Sequence, residues 1–133
     1  MSTIPINPRE LADPRGYSNG MLASPGRMLA IAGQIGWDGD RKLVSDDFVQ
    51  QFNRALANVL AVLHEAGGVP NDLILLRIYV VDKQRYLAST KEIGSIYREL
   101  MGEHYPAMAL VQVADLLEPG ALVEIEGLAV INS

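Results

Sequence analysis

The run LILLRIYVVD (Leu73–Asp82) is apolar at almost every position and rich in β-branched and large side chains. A strand with one wet face alternates apolar and polar residues, whereas a strand apolar at both parities is central in its sheet and covered on both faces. The rest of the chain must therefore supply two covers for one strand. One cover is helical. Ser45 is placed to cap a helix with Asp46 and Asp47 in its first turn, next to the positive end of the helix dipole. From there Phe48, Phe52, Leu56, Val59, Leu60 and Leu63 recur at three- and four-residue steps, until Gly67-Gly68 and Pro70 end the run. A second helix is expected over roughly Arg85–Met101, with Ile93, Ile96, Tyr97, Leu100 and Met101 as its apolar stripe.

Strand signals fill the remainder. MLA and RMLAIAGQI (Arg27–Ile35) flank the turn SPG (Ser24–Gly26) and read as a hairpin. PAMALVQVADL (Pro106–Leu116) and ALVEIEGLAV (Ala121–Val130) are separated by the turn EPG. Residues 1–16, with Pro5, Pro8, Pro14 and Gly16, read as an irregular arm. The order β-β-α-β-α-β-β describes an α+β fold, a mixed β-sheet with two helices packed on one face. At 133 residues the whole chain, 1–133, is expected to form a single domain. Its second sheet face then lacks a cover, and a closed ring of identical subunits supplies one without open-ended growth.

The last strand carries an anomaly. Alternation along the last strand sends Leu122, Glu124, Glu126, Leu128 and Val130 to one side and Val123, Ile125, Gly127, Ala129 and Ile131 to the other. Two carboxylates on one side of an apolar strand need solvent, a partner or a raised pKa, which marks that side as a pocket or a subunit seam. Composition narrows the chemistry. Hydrophobic residues make up 49% and charged residues 20%, a globular balance, and no apolar run reaches bilayer-spanning length. The N-terminus lacks the pattern of a signal or transit peptide, so a cytoplasmic location is expected. A net charge of −5 disfavours binding to nucleic-acid phosphates. There is no cysteine, and His64 and His104 stand apart from any second ligand at metal-binding spacing, so no metal site is expected. His64 suits the negative end of the first helix, and His104 reads as a solvated loop residue. GYSNG (Gly16–Gly20) is turn chemistry rather than a phosphate loop.

Six fragments taken together are more specific. YSNG (Tyr17–Gly20), IAGQIGWD (Ile31–Asp38), LANVLAVLHEAGG (Leu56–Gly68), LRIYVVD (Leu76–Asp82), YPAMALVQV (Tyr105–Val113) and LVEIEGLAV (Leu122–Val130) resemble, in order and spacing, the RidA/YjgF/UK114 family. The resemblance implies a chorismate-mutase-like fold and a homotrimer with ligand clefts between subunits. It also implies hydrolysis of reactive enamines or imines to a carbonyl compound and ammonia, with no cofactor. Active members carry an arginine in a P-A-R-[ST] motif that grips the substrate carboxylate. Here the motif reads PAMA, placing Met108 at the arginine's position. Leu110 stands where a small polar residue or cysteine is usual, and Gly94 where an asparagine is common.

Other family positions are kept. Tyr17 and Gly33 match substrate-contacting positions, and Glu124 matches the glutamate held to position water or shuttle a proton. Beside them, Trp37 and Tyr105 are candidate aromatic walls, Gln34 and Gln112 candidate hydrogen-bonding groups, and Met108 and Leu110 candidate apolar contacts. Glu126 is expected in a salt bridge or interface. The expected function is a divergent enamine/imine deaminase whose substrate is less anionic than 2-aminoacrylate. The alternatives are a small-molecule-binding or sensing trimer without turnover, and an endoribonuclease or translation inhibitor, which the acidic charge opposes.

Overall fold

The computed structural model of the protein describes residues 3–132. The run Leu73–Asp82 is central in its sheet, as its composition predicts, but this chain covers only one of its faces. Leu73–Val80 forms β4, held antiparallel to β6 (Val123–Ile131) on one side and parallel to β5 (Ala107–Gln112) on the other, with β3 (Arg27–Ile35) outside β6. The order β3-β6-β4-β5 makes a mixed sheet. Leu76, Ile78 and Val80 are buried against the helices, whereas Arg77 is exposed and Leu75 and Tyr79 are half-buried on the opposite face. This chain's own helices cover one face only.

The cover is α1 (Phe48–Glu65), whose Phe48, Phe52, Leu56, Val59 and Leu63 pack on Ile31, Leu76, Ile125 and Ala129. Its cap is one turn detail away from expectation. Asp47, not Ser45, is the N-cap and accepts from Gln50 N–H at 3.0 Å, while Ser45 Oγ accepts from Asp47 N–H at 2.9 Å. Both acids therefore precede the first turn. Gly67, at φ 85°, ends the helix as expected.

The second helix is corrected to two, giving three helices among the described residues: α2 (Lys83–Ala88) and α3 (Thr90–Met101). Ser89 leaves helical geometry at φ −118° and ψ 13°. It closes α2 through its N–H to Tyr86 O, and it opens α3 by accepting Ile93 N–H at 2.9 Å. Serine suits such a junction because it competes poorly for the helix interior. The expected hairpin is also replaced. β2 (Gly20–Ala23) pairs with β1 (Thr3–Ile6), a strand inside the segment read as an irregular arm, and β3 pairs with β6 instead. A nine-residue strand makes a longer ladder with nine-residue β6 than with four-residue β2. Asn132 fixes the crossover by donating to the Ser24 and Pro25 carbonyls.

Two side-chain amides, one half-buried and one fully buried, clamp α1 to the sheet ends. Asn58 donates to Ile35 O at 3.1 Å and to Trp37 O at 3.0 Å. Gln51, fully buried, donates to Ser45 O and Gly120 O and accepts Leu122 N–H. Between them the backbones nearly touch: a Cβ on Gly36 would lie 2.6 Å from Gln51 Cα. Gly36→Ala is therefore expected to cost about 1–3 kcal/mol through overpacking against main chain that has no rotamer to escape into. A urea midpoint matching wild type would show that the two segments separate freely.

Candidate functional site

The cavity is built around an anchored tyrosine. Ser18 bridges to Ala107, donating its N–H to Pro106 O at 3.1 Å and its hydroxyl to Tyr105 O at 2.5 Å, so Tyr17 is fixed beside the start of β5. Tyr105 stacks on Tyr97 with centroids 5.0 Å apart and planes at 11°. Tyr97 in turn donates its hydroxyl to His104 O at 2.6 Å. Burial pushes the Tyr97 phenol well above its usual range, which keeps it a neutral donor. His104 is not a free solvated residue: its Nε2 lies 2.8 Å from Leu73 O, tying this loop to the sheet.

The parallel register, Leu76 opposite Met108 and Ile78 opposite Leu110, turns Met108 and Leu110 toward the helices. With Tyr17, Tyr105 and Ile93 they line a cavity of about 480 Å³ between α3, β5 and the segment before β2. Two residues the sequence reading did not single out, Arg15 and Arg98, line it as well. The only signal for Arg98 was Gly94, one helical turn earlier.

Glu124 lies elsewhere. It pairs in register with Tyr79, on the face opposite Ile78 and Ile125, and therefore opposite the cavity. It shares that face with Gly33, where a Cβ would overlap the Glu124 carboxylate, so a larger residue there would push that side chain aside. Gly33 sits in the irregularity between Ile31 and Gln34 that shifts the β3–β6 register. Among the described residues, no hydrogen bond or ion pair reaches the Glu124 carboxylate from within the chain. Glu126 contrasts with it, accepting the Tyr79 hydroxyl and lying 3.7 Å from Arg77 Nη1. That hydrogen bond, with desolvation and the negative charge of Glu126 adding to it, holds the Tyr79 phenol above its ordinary range.

The cleft drawn from the sequence thus divides into two half-sites on opposite faces of one sheet. Tyr17, Tyr105, Met108 and Leu110 form one, and Gly33 and Glu124 the other. Gln34 and Trp37 join neither. Gln34 donates its amide to Ala32 O at 3.2 Å, and Trp37 bridges to Leu43 within its own turn. Gln112 is occupied as well, accepting Lys83 N–H at 2.8 Å. Among the described residues, no group of three or more acidic, histidine or cysteine side chains is arranged to hold a metal ion, and no helix is long and apolar enough to cross a membrane.

Comparison with known proteins agrees with this architecture. The family model described as Endoribonuclease L-PSP matches residues 9–131. A RutC family protein of Pyrococcus horikoshii is 34% identical over 114 residues, covering 85% of each chain. The human 2-iminobutanoate/2-iminopropanoate deaminase is 30% identical over 115 residues, 86% of this chain and 79% of that one. Among solved structures, a Rid-family protein of unknown function from Yersinia pestis superposes with a TM-score of 0.89 at 34% identity, covering 98% of this chain and all of the other. With its sheet order, its cavity beside β5 and these matches in agreement, the chain belongs to the RidA/YjgF/UK114 family, whose family model carries the description Endoribonuclease L-PSP.

Proposed function

We propose that the protein is an enamine/imine deaminase that works as a homo-oligomer, a trimer on the family's pattern, with the cavity of one copy facing Glu124 of the next. The observation that carries this reading is the unpartnered Glu124 carboxylate, set over a glycine on a sheet face this chain does not cover, while the substrate-sized cavity lies on the other face. Deaminases of 2-imino acids among the relatives support the reaction class.

The chemistry asks little of the protein. Water adds through oxygen to the electrophilic imine carbon, the carbon–nitrogen bond of the resulting carbinolamine breaks, and ammonia leaves a ketone. A carboxylate near that carbon takes the water's proton and returns it to the departing nitrogen. An enamine reaches the same imine by protonation at carbon. Met108 and Leu110 offer the substrate an apolar surface where charge would otherwise be read, so its side chain is larger and more apolar than that of 2-aminoacrylate. The expectation of a less anionic substrate comes from this same wall, Glu124 being kept while an apolar Met108 stands where the family's arginine would be.

The test generates imines in place from leucine and from alanine with an amino-acid oxidase, then follows imine decay and ammonia release. The protein is expected to accelerate decay of the leucine-derived imine more than the alanine-derived one. Met108→Arg should shift that ratio about tenfold toward the smaller imine, because it removes apolar surface that only the longer side chain covers. Decay unchanged by protein for both imines would remove the deaminase reading. Saturable binding without acceleration would leave a binding protein in its place.

A further inference from the structure

The cation missing from β5 has a replacement on α3. Arg98 folds back over Gly94, one turn toward the helix N-terminus, as long helical side chains do. A Cβ at position 94 would sit 3.2 Å from Arg98 Nη1 and 4.0 Å from Cζ, so a larger residue there crowds the guanidinium. The departures at Gly94 and Met108 are thereby connected. Methionine removes a positive charge from the cavity floor, and glycine makes room for one at its rim.

Arg98 is exposed yet lines the same cavity as Met108, Leu110 and Tyr105, and Arg15 joins it from the segment before Tyr17. Among the described residues neither arginine has a carboxylate partner, whereas Arg77 and Arg85 each lie within 4 Å of one. In a chain of net charge −5, two unpaired guanidiniums converging on one apolar cavity point to an anionic ligand.

We infer that Arg98, assisted by Arg15, binds the carboxylate of a 2-imino or 2-enamino acid whose branched or aromatic side chain lies on Met108 and Leu110. This rests on the deaminase reading for the identity of the reacting group, but not for the recognition of the acid. Arg98 is a specificity residue placed on a helix, one layer removed from the strand that carries the family's arginine.

The experiment measures binding by calorimetry, with no turnover required, using 2-oxo-4-methylpentanoate, its methyl ester and 2-oxopropanoate as probes. Wild type is expected to bind 2-oxo-4-methylpentanoate more tightly than either other probe. Arg98→Gln should weaken binding of that acid by about ten- to a hundredfold while leaving the ester unaffected. Arg98→Lys, which keeps the charge without the planar fork, should fall between, and Gly94→Asn should weaken the acid by displacing the guanidinium. Thermal midpoints within a few degrees of wild type are expected, because Arg98 is on the surface. The inference is overturned if Arg98→Gln binds the acid as wild type does, or if wild type shows no saturable binding of it. Failure of the deaminase reading looks different: binding that depends on Arg98, with no acceleration of imine decay.

Discussion

Gln51→Leu is expected to cost about 3–5 kcal/mol, although it places an apolar side chain of similar size among apolar neighbours. The reason is what the amide leaves behind. Ser45 O, Gly120 O and Leu122 N–H all converge on Gln51, at 2.9, 3.0 and 2.8 Å, and its side chain is fully buried. Each orphaned backbone group costs about 1–3 kcal/mol unless water reaches it, and part of that is recovered by burying the new methyl groups. Against a typical total of about 5–15 kcal/mol the loss is severe, and for a chain this size it corresponds to roughly 10–20 °C in Tm. Urea and thermal unfolding measure it directly. A loss under about 1 kcal/mol would mean that solvent replaces all three bonds and that the clamp adds nothing.

Glu124→Gln is expected to lower deamination by about a hundredfold to ten-thousandfold, the usual range for removing a group that transfers protons. Leu110→Trp should be inactive for a different reason, because the indole fills the cavity. The two half-sites lie on opposite faces of the sheet, so the proposed reaction requires one copy to bring its Glu124 to the cavity of another. Mixing the two inactive variants through a cycle of unfolding and refolding should therefore restore about a quarter of wild-type activity, the fraction of interfaces that pair an intact cavity with an intact Glu124. Native mass spectrometry verifies that mixed assemblies form. Mixed assemblies without recovered activity would place both half-sites' functions within one chain and dismantle the shared-site proposal.

Much of this architecture could be read from local pattern because the pattern was long or unusual. β4 revealed itself by lacking alternation, and α1 by a stripe that runs unbroken from Phe48 to Leu63. The break at Ser89 was hidden because the apolar spacing continues across it: Tyr86 and Ile93 pack into the same core from two different helices. The pairing of β1 with β2 was hidden for another reason. Pro5 and Pro8 signal irregularity locally, and partner choice depended on a competition for β3 that only β6, about a hundred residues later, decides.

The candidate residues could be named from the sequence, but not the way the fold groups them. Tyr17, Tyr105, Met108 and Leu110 converge, and so do Gly33 and Glu124, yet nothing in the one-dimensional pattern separates the two faces except register between β4, β5 and β6. Arg98 was passed over because an arginine on the wet side of an amphipathic helix is ordinary. The local signal for it is Gly94, whose missing side chain leaves room for the guanidinium.

The Ser18 latch has a bearing on solubility as well. β5 is an outer strand, and such strands invite foreign chains to add themselves to the ladder. Here the Pro106 carbonyl and the first rung at Ala107 are already occupied by the chain's own main chain. An invading segment finds that berth taken, so the same few bonds that orient an aromatic ring for a ligand also discourage fibrillar stacking from that corner.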